Sequence, residues 1–256
     1  MDSEVSVLLH CAAWKGLRES QVQLYGNICP PLDKHEPWLF NGSKFRLHSF
    51  FLSGPLLTLK LGLTCYKDYL GTNWSCRAAE LCQLGEAKFG DRLALLAQPL
   101  GVGGILCTDD DRVVLIRRSM RVAEAGGLLD IPGGHPEPKV NIPLSSLREP
   151  ILMGVALNHI SAGRPSAEFY VGCSLTSDQV RELYRKGGAE ANESTDIVFL
   201  SREEVLQLDG CSPVWSELCP SAKGAMLLYQ TVKPDGEHSQ NQGHNNHPIA
   251  AEDGPT

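Results

Sequence analysis

Apolar and polar positions alternate with a period near two along much of this chain, the spacing that turns one side of a strand toward a core and the other toward water. Two such runs, PWLFNGSKFRLHSFF and LLTLKLGLTCYKDYLGTNWS, are separated by a Ser, Gly, Pro break and closed by a Gly, Thr, Asn turn. They predict a hairpin that leads into an aromatic-rich loop. PLGVGGILCT and RVVLIRRS flank Asp109, Asp110 and Asp111 and predict a second hairpin, because acids favour reversal. ILMGVALN, AEFYVGCSL and DIVFL read as further strands. Before the breaker pair Pro30 and Pro31 the alternation is weak and supports one strand and little else.

Helical spacing is sparser. Residues 76–96 predict one or two short helices, with breaks at Gly85 and Gly90, ahead of Pro99. SDQVRELYRKGG predicts a helix begun by Ser177 and stopped by Gly187, and Ser201 with Glu204 forms a capping box for EEVLQL. A last helix spans 221–232 after Pro220. Between 135 and 150 the prolines at 136, 138, 143 and 150 forbid a long helix, since each removes a backbone donor and crowds the preceding turn. The pattern divides the chain into a small β-rich N-terminal lobe (1–97), a main α/β domain (98–232) and a polar tail (233–256). Too few apolar residues occur in the tail to offset the entropy of ordering it, so disorder is expected there, and His238, His244 and His247 lack a rigid scaffold for a metal.

Composition narrows the function. With 256 residues, 42% hydrophobic and 21% charged, the chain can bury a core, while a net charge of −7 and a pI near 5.6 argue against a general nucleic-acid or anionic-membrane binder. An anionic ligand needs a local site. The first residues carry acids where a leader carries positive charge, no apolar run approaches a membrane span, and the nine cysteines show no CxxC pair and no zinc spacing. Reduced thiols in the cytoplasm, with the nucleus as a second compartment, are expected, and no obligate protein partner is.

The segment VLIRRSMRVAEAGGLLDIPGGHPEP resembles the Nudix hydrolases, whose signature is GX5EX7REUXEEXGU with U aliphatic. FRLHS, GLTCYKDYLGTNWS, SAGRPSAEFYVGCSLTS and ELCPSAKGA extend the resemblance across residues 37–229, to the branch similar to hydrolases of UDP-glucose and UDP-galactose. The resemblance implies an α/β/α sandwich with a mixed sheet and magnesium-dependent hydrolysis of the UDP-sugar to UMP and a sugar 1-phosphate. In the family, glutamates on the helix after the glycine loop hold the metal. Here that register fails. Starting at Gly134, Val140 stands at the first glutamate, Pro150 at the aliphatic site, and Leu152 and Met153 at the two metal-binding glutamates. None of these offers the oxygen ligands that magnesium requires. The chain reads better as PGGHPEP joined directly to VNIPL, a shortened form, as in a splice variant or a gene-model omission, with the catalytic helix missing. Loss of that helix is expected to uncover an apolar patch.

No catalytic residue and no metal ligand is therefore assigned; for substrate the resemblance implies Phe40, Tyr66, Arg118, Ala123, Asp130, His135 and Ser221. Phe40 and Tyr66 stack on the uracil or belong to the core. Arg118 forks onto the diphosphate, with Arg117 as the competing choice because alternation sends one arginine to the site and one to solvent. The backbone of Ala123 approaches the ligand, Asp130 and His135 flank the Pro, Gly, Gly turn, and Ser221 either caps the last helix or meets a phosphate. Gly101, Gly103 and Gly104 precede a strand and form no dinucleotide fingerprint. Glu168 and Glu193 are expected to be solvated. The alternative to an impaired UDP-sugar hydrolase is a non-catalytic nucleotide-sugar-binding or protein-interaction variant.

Overall fold

Branched and leucine-rich runs become strands and the capped segments become helices in a computed structural model that describes residues 3–25, 43–122, 124–134, 142–186 and 194–235. The strands are β1 (Val5–His10), β2 (Val22–Tyr25), β3 (Ser43–Ser53), β4 (Leu56–Cys65), β5 (Gly101–Cys107), β6 (Arg112–Arg118), β7 (Leu129–Asp130), β8 (Gly133–Gly134), β9 (Ile151–Asn158), β10 (Arg164–Gly172) and β11 (Ser194–Ser201). The helices are α1 (Tyr66–Gly71), α2 (Ala78–Phe89), α3 (Ser177–Arg185), α4 (Arg202–Gln207), α5 (Pro213–Glu217) and α6 (Pro220–Val232). The expected site positions Phe40, Ala123 and His135, together with Glu193, Gly187 and the tail beyond 235, lie outside the described residues.

The main sheet runs β1, β9, β10, β5, β6, β11, with β7 on β6 and β8 on β5. Only the β10–β5 pair among these is parallel, so the sheet is mixed, as expected for the fold class. A second sheet of β2, β4 and β3 contains the expected first hairpin, turning at Gly54 with φ of 56°. β1 departs from the expected grouping of residues 1–97. It pairs with β9, Val5 opposite Asn158 and His10 opposite Gly154, and so is an edge of the main sheet.

Alternation along the strands separates two faces. On one, Ile105, Val113, Leu115, Met153 and Ala156 meet α6 residues Ala222, Ala225, Met226, Leu228 and Tyr229, all almost fully buried. Each large apolar side chain sealed there contributes about 1.5–3 kcal/mol. On the other face the small sheet covers β9 and β10 through Leu47, Leu57, Leu59, Leu152 and Val155, while Val180 of α3 covers Leu106, Val114 and Ile197. Between these covers lies a hollow of about 410 Å³ walled by Val102, Leu106, Ile142, Leu147, Phe169 and Val171, with no helical residue in its lining among the described residues.

Local differences have local causes. YKDYLG forms the single turn α1 where a strand end was expected, held by contacts of Tyr69 and Asn73 with distant segments. Thr176, one residue before the expected Ser177, caps α3 and shares a reciprocal box with Gln179, while the Ser201 and Glu204 box at α4 is present as predicted. Among the described residues the helical structure between β8 and β9 is one 3-10 turn, Leu144–Ser146. No helix among the described residues is long and apolar enough to cross a membrane.

Candidate nucleotide site

β5 and β6 leave the 109–111 turn paired at Cys107 and Val113 and then fork. The chain from Leu129 to Gly134 enters the fork. β7 takes one prong, with Asp130 opposite Ile116 and Leu129 opposite Arg117, and β8 takes the other, with Gly133 opposite Gly103. The approach requires glycine: a Cβ on Gly133 would stand 2.6 Å from the Val102 carbonyl oxygen and 2.8 Å from Gly103 Cα.

Asp130, 9% exposed, is the junction this wedge creates. Its Oδ2 accepts from Nη1 of Arg118 at 2.8 Å, and its Oδ1 accepts from Ser221 Oγ at 3.0 Å and from the Ile131 N–H at 2.9 Å. One carboxylate thus fixes the end of β6, the Pro, Gly, Gly turn and the first turn of α6. That helix is capped by Cys219 without a side-chain hydrogen bond, so Ser221 is not its cap; its hydroxyl serves Asp130 instead. Cys219, Pro220 and Ser221 line the adjoining cavity, which sets the positive end of a thirteen-residue helix at its wall.

The cavity holds about 600 Å³. Tyr66 and Tyr69 of α1 line it, as do Lys44 of β3, Arg118, Arg121 and Glu124 around the β6–β7 loop, and Arg164 of β10. Four cations against the carboxylates of Glu124 and Asp130 give a locally positive site in a chain of net charge −7, as an anionic ligand demands. Tyr69 is buried. Its hydroxyl donates to Oε1 of Glu124, whose Oε2 receives Nη2 of Arg164 at 3.1 Å, and the Arg164 guanidinium lies 5.3 Å from the Tyr69 ring centre. Burial pushes the Tyr69 hydroxyl well above its ordinary pKa, with Arg164 pulling partly back, so it stays a proton donor.

Four of the residues expected from sequence, Tyr66, Arg118, Asp130 and Ser221, share this cavity. Tyr66 is half-buried with the Lys44 ammonium 5.9 Å from its ring centre, and is no core aromatic. Of the two arginines, Arg118 lines the cavity and Arg117 turns away from it, donating to the Gly127 carbonyl at 2.9 Å and to Glu217 at 2.7 Å. Tyr69, Glu124 and Arg164 were not expected. The available signal was one acid in RVAEAGG, directly after a strand that ends in two arginines.

Glu168, expected in solvent, is fully buried on the α6 face of β10. Its register partners are glycines on both sides, Gly103 and Gly154, and a Cβ on Gly103 would stand 2.4 Å from its Oε2. Neither oxygen has a hydrogen-bond partner among the described residues. Burial lifts its pKa to about 8, the nearby Ser166 hydroxyl lowers it somewhat, and the charge of Asp130 raises it again, so the group is largely neutral at pH 7.

Among the described residues no group of three or more His, Cys, Asp or Glu side chains has the arrangement to hold a metal ion. The two carboxylates of the cavity are each bonded to an arginine, whereas magnesium takes oxygen ligands in near-octahedral array, so the described residues do not fit it.

No family model matches the chain. It is 45% identical over 290 aligned positions to the protein named uridine diphosphate glucose pyrophosphatase NUDT22 of Bos taurus, covering 91% of this chain and 99% of the relative. The Homo sapiens protein of that name is also 45% identical, covering 91% of this chain and 94% of its own length, and Nudix hydrolase 9 of Arabidopsis thaliana is 28% identical over 68% and 70%. The Nudix hydrolase RenU of M. smegmatis superposes with a TM-score of only 0.32 at 14% identity, over 58% of this chain and 88% of its own, a likeness too slight to argue from. The bovine alignment spans more positions than the 256 residues of this chain, so that relative carries residues absent here. Identity of this extent over nearly whole lengths places the chain in the Nudix hydrolase family, beside the NUDT22 proteins.

Proposed function

We propose that this chain binds a uridine diphosphate sugar, UDP-glucose or UDP-galactose, in the cavity around Arg118 and Asp130, and that it cleaves the diphosphate poorly. The observation that carries the binding half is the meeting of Arg118, Asp130, Ser221 and the start of α6 beside Tyr66 in one cationic cavity. A planar guanidinium and a helix start suit a diphosphate, and a half-buried tyrosine suits a base.

Three findings support the impaired half. The signature register places Val140, Leu152 and Met153 where the family has glutamates. Leu152 and Met153 are buried strand residues of β9, Leu152 opposite Phe169 and the Met153 carbonyl accepting from the Cys11 N–H, and neither stands on a helix. The bovine relative carries residues that this chain lacks, and the apolar hollow over Val171 and Phe169 supports reading a helix as lost from that strip of sheet. Magnesium, when bound in a complete family member, neutralises the diphosphate and activates water. This chain's own residues retain the binding role, in which Arg118 and α6 hold the anion and Asp130 keeps Arg118 in place.

Thermal unfolding of the purified chain with and without UDP tests the first half, and release of UMP from UDP-glucose in magnesium tests the second. A ligand at 100 times its Kd stabilises by about 2.7 kcal/mol, so the melting temperature rises as UDP is added. UMP does not exceed the enzyme-free control. Turnover matching the bovine relative overturns the impaired reading, and an unmoved melting temperature at saturating UDP overturns the binding one.

A further inference from the structure

The contacts along the cavity wall follow one order. The rings of Tyr66 and Tyr69 lie 6.1 Å apart, the Tyr69 hydroxyl meets the Glu124 carboxylate, Arg118 Nε reaches the Glu124 carbonyl oxygen at 3.2 Å, and Arg118 and Ser221 converge on Asp130. A nucleoside diphosphate laid along this wall puts its phosphates at the Arg118 and α6 end and its base at the tyrosine end. Glu124 then falls beside the hydrogen-bonding edge of the base.

Its carboxylate is unusually well fixed for a loop side chain. A buried tyrosine hydroxyl holds one oxygen and Arg164 the other, so the carboxylate is held in one direction, yet each oxygen retains a further lone pair and both side chains line the cavity. A carboxylate only accepts and a guanidinium only donates. Uracil offers an N3–H donor flanked by two carbonyl acceptors, which matches that pair. Cytosine offers an acceptor at N3, whose lone pair would face the carboxylate.

We propose that Glu124, held by Tyr69 and Arg164, selects the base: it accepts the N3–H of uracil while Arg164 donates to the neighbouring carbonyl. This rests on the nucleotide-sugar reading of the cavity. Glu124 is a specificity residue here and takes no part in bond cleavage. A fixed polar site rejects an analogue that lacks the matching group far better than an apolar pocket does, because the fixed carboxylate then faces a lone pair or a methyl group in place of the N3 proton.

The test is calorimetric titration of the intact chain with UDP, CDP and UDP methylated at N3. UDP is expected to bind at least about tenfold more tightly than either analogue, the scale of one charge-assisted hydrogen bond. In Glu124→Gln, whose amide can donate, the preference for UDP over CDP shrinks below about threefold, with circular dichroism and thermal unfolding checking the fold. The N3-methyl arm uses the unaltered chain and is decisive even where the variant misfolds. UDP binding with no preference over N3-methyl-UDP overturns this inference and leaves the nucleotide site standing; absence of UDP binding overturns both.

Discussion

On one face of the main sheet α6 seals Met226, Leu228 and Tyr229 against β1, β5, β9 and β10, and the Glu168 side chain of β10 is fully buried; on the other, the small sheet and α3 cover the flanks and leave a hollow of about 410 Å³ between them. Both faces are made from the same strands by the same alternation, so the difference comes from what is laid on them. Asp130 and Ser221 sit where α6 begins on the closed face, while Lys44 of β3 and Tyr66 and Tyr69 of α1 reach the same cavity from the small-sheet segment. The described lining of the cavity thus draws on the start of α6 and on the small-sheet segment alike.

The comparison breaks most visibly at Leu228 of α6, which is fully buried against the sheet. Leu228→Ala is expected to cost about 2–5 kcal/mol in urea unfolding, the range for a core truncation that leaves a cavity. A loss below about 1 kcal/mol would mean that the α6 face is not the seat of stability.

Next comes Glu168. The folded chain keeps a proton on this group up to about pH 8, whereas the unfolded chain releases it near the ordinary carboxylate value, so its contribution is fullest in acid and declines as pH rises toward 8. That decline is at most about 1.4 kcal/mol per pH unit. Glu168→Gln lacks it, and its stability relative to the parent rises between about pH 5 and 8 and then levels. Parallel pH profiles for the two proteins would show that Glu168 is ionised in the fold.

The finest test is one substitution made on each face. Val113 is fully buried on the α6 side and Val171 borders the hollow, and both change little in volume on becoming threonine. Val113→Thr is expected to cost about 1–3 kcal/mol for a hydroxyl buried without a partner, and Val171→Thr less than about 1. Equal costs would mean that the hollow is as dry as the core.

What the sequence disclosed follows the range of the forces involved. Hairpins, the Ser201 box and the helix after Pro220 rest on neighbours in the chain, and all three are legible in the alternation and the capping residues. The pairing of β1 with β9 and the forking of β5 from β6 depend on segments far apart, which local spacing does not encode. Within the site, Arg118, Asp130, Tyr66 and Ser221 stand in segments that resemble a family. Glu124 and Arg164 pair directly and both bond Tyr69, which lies 55 residues before Glu124 and 95 before Arg164. Glu168 looked like a surface acid because strands often alternate polar and apolar; the clue to its burial was two glycines opposite it, and their pairing is itself a tertiary fact.

β1 edges the main sheet, yet its partner β9 follows only after Gly134 and the proline-rich stretch. During synthesis the strand made first must wait for most of the chain before it can dock, an arrangement that slows folding and exposes an unpaired ribbon in the meantime. The register shift between Val7 and Leu9 breaks its regular ladder and makes it a poorer template for a neighbouring chain.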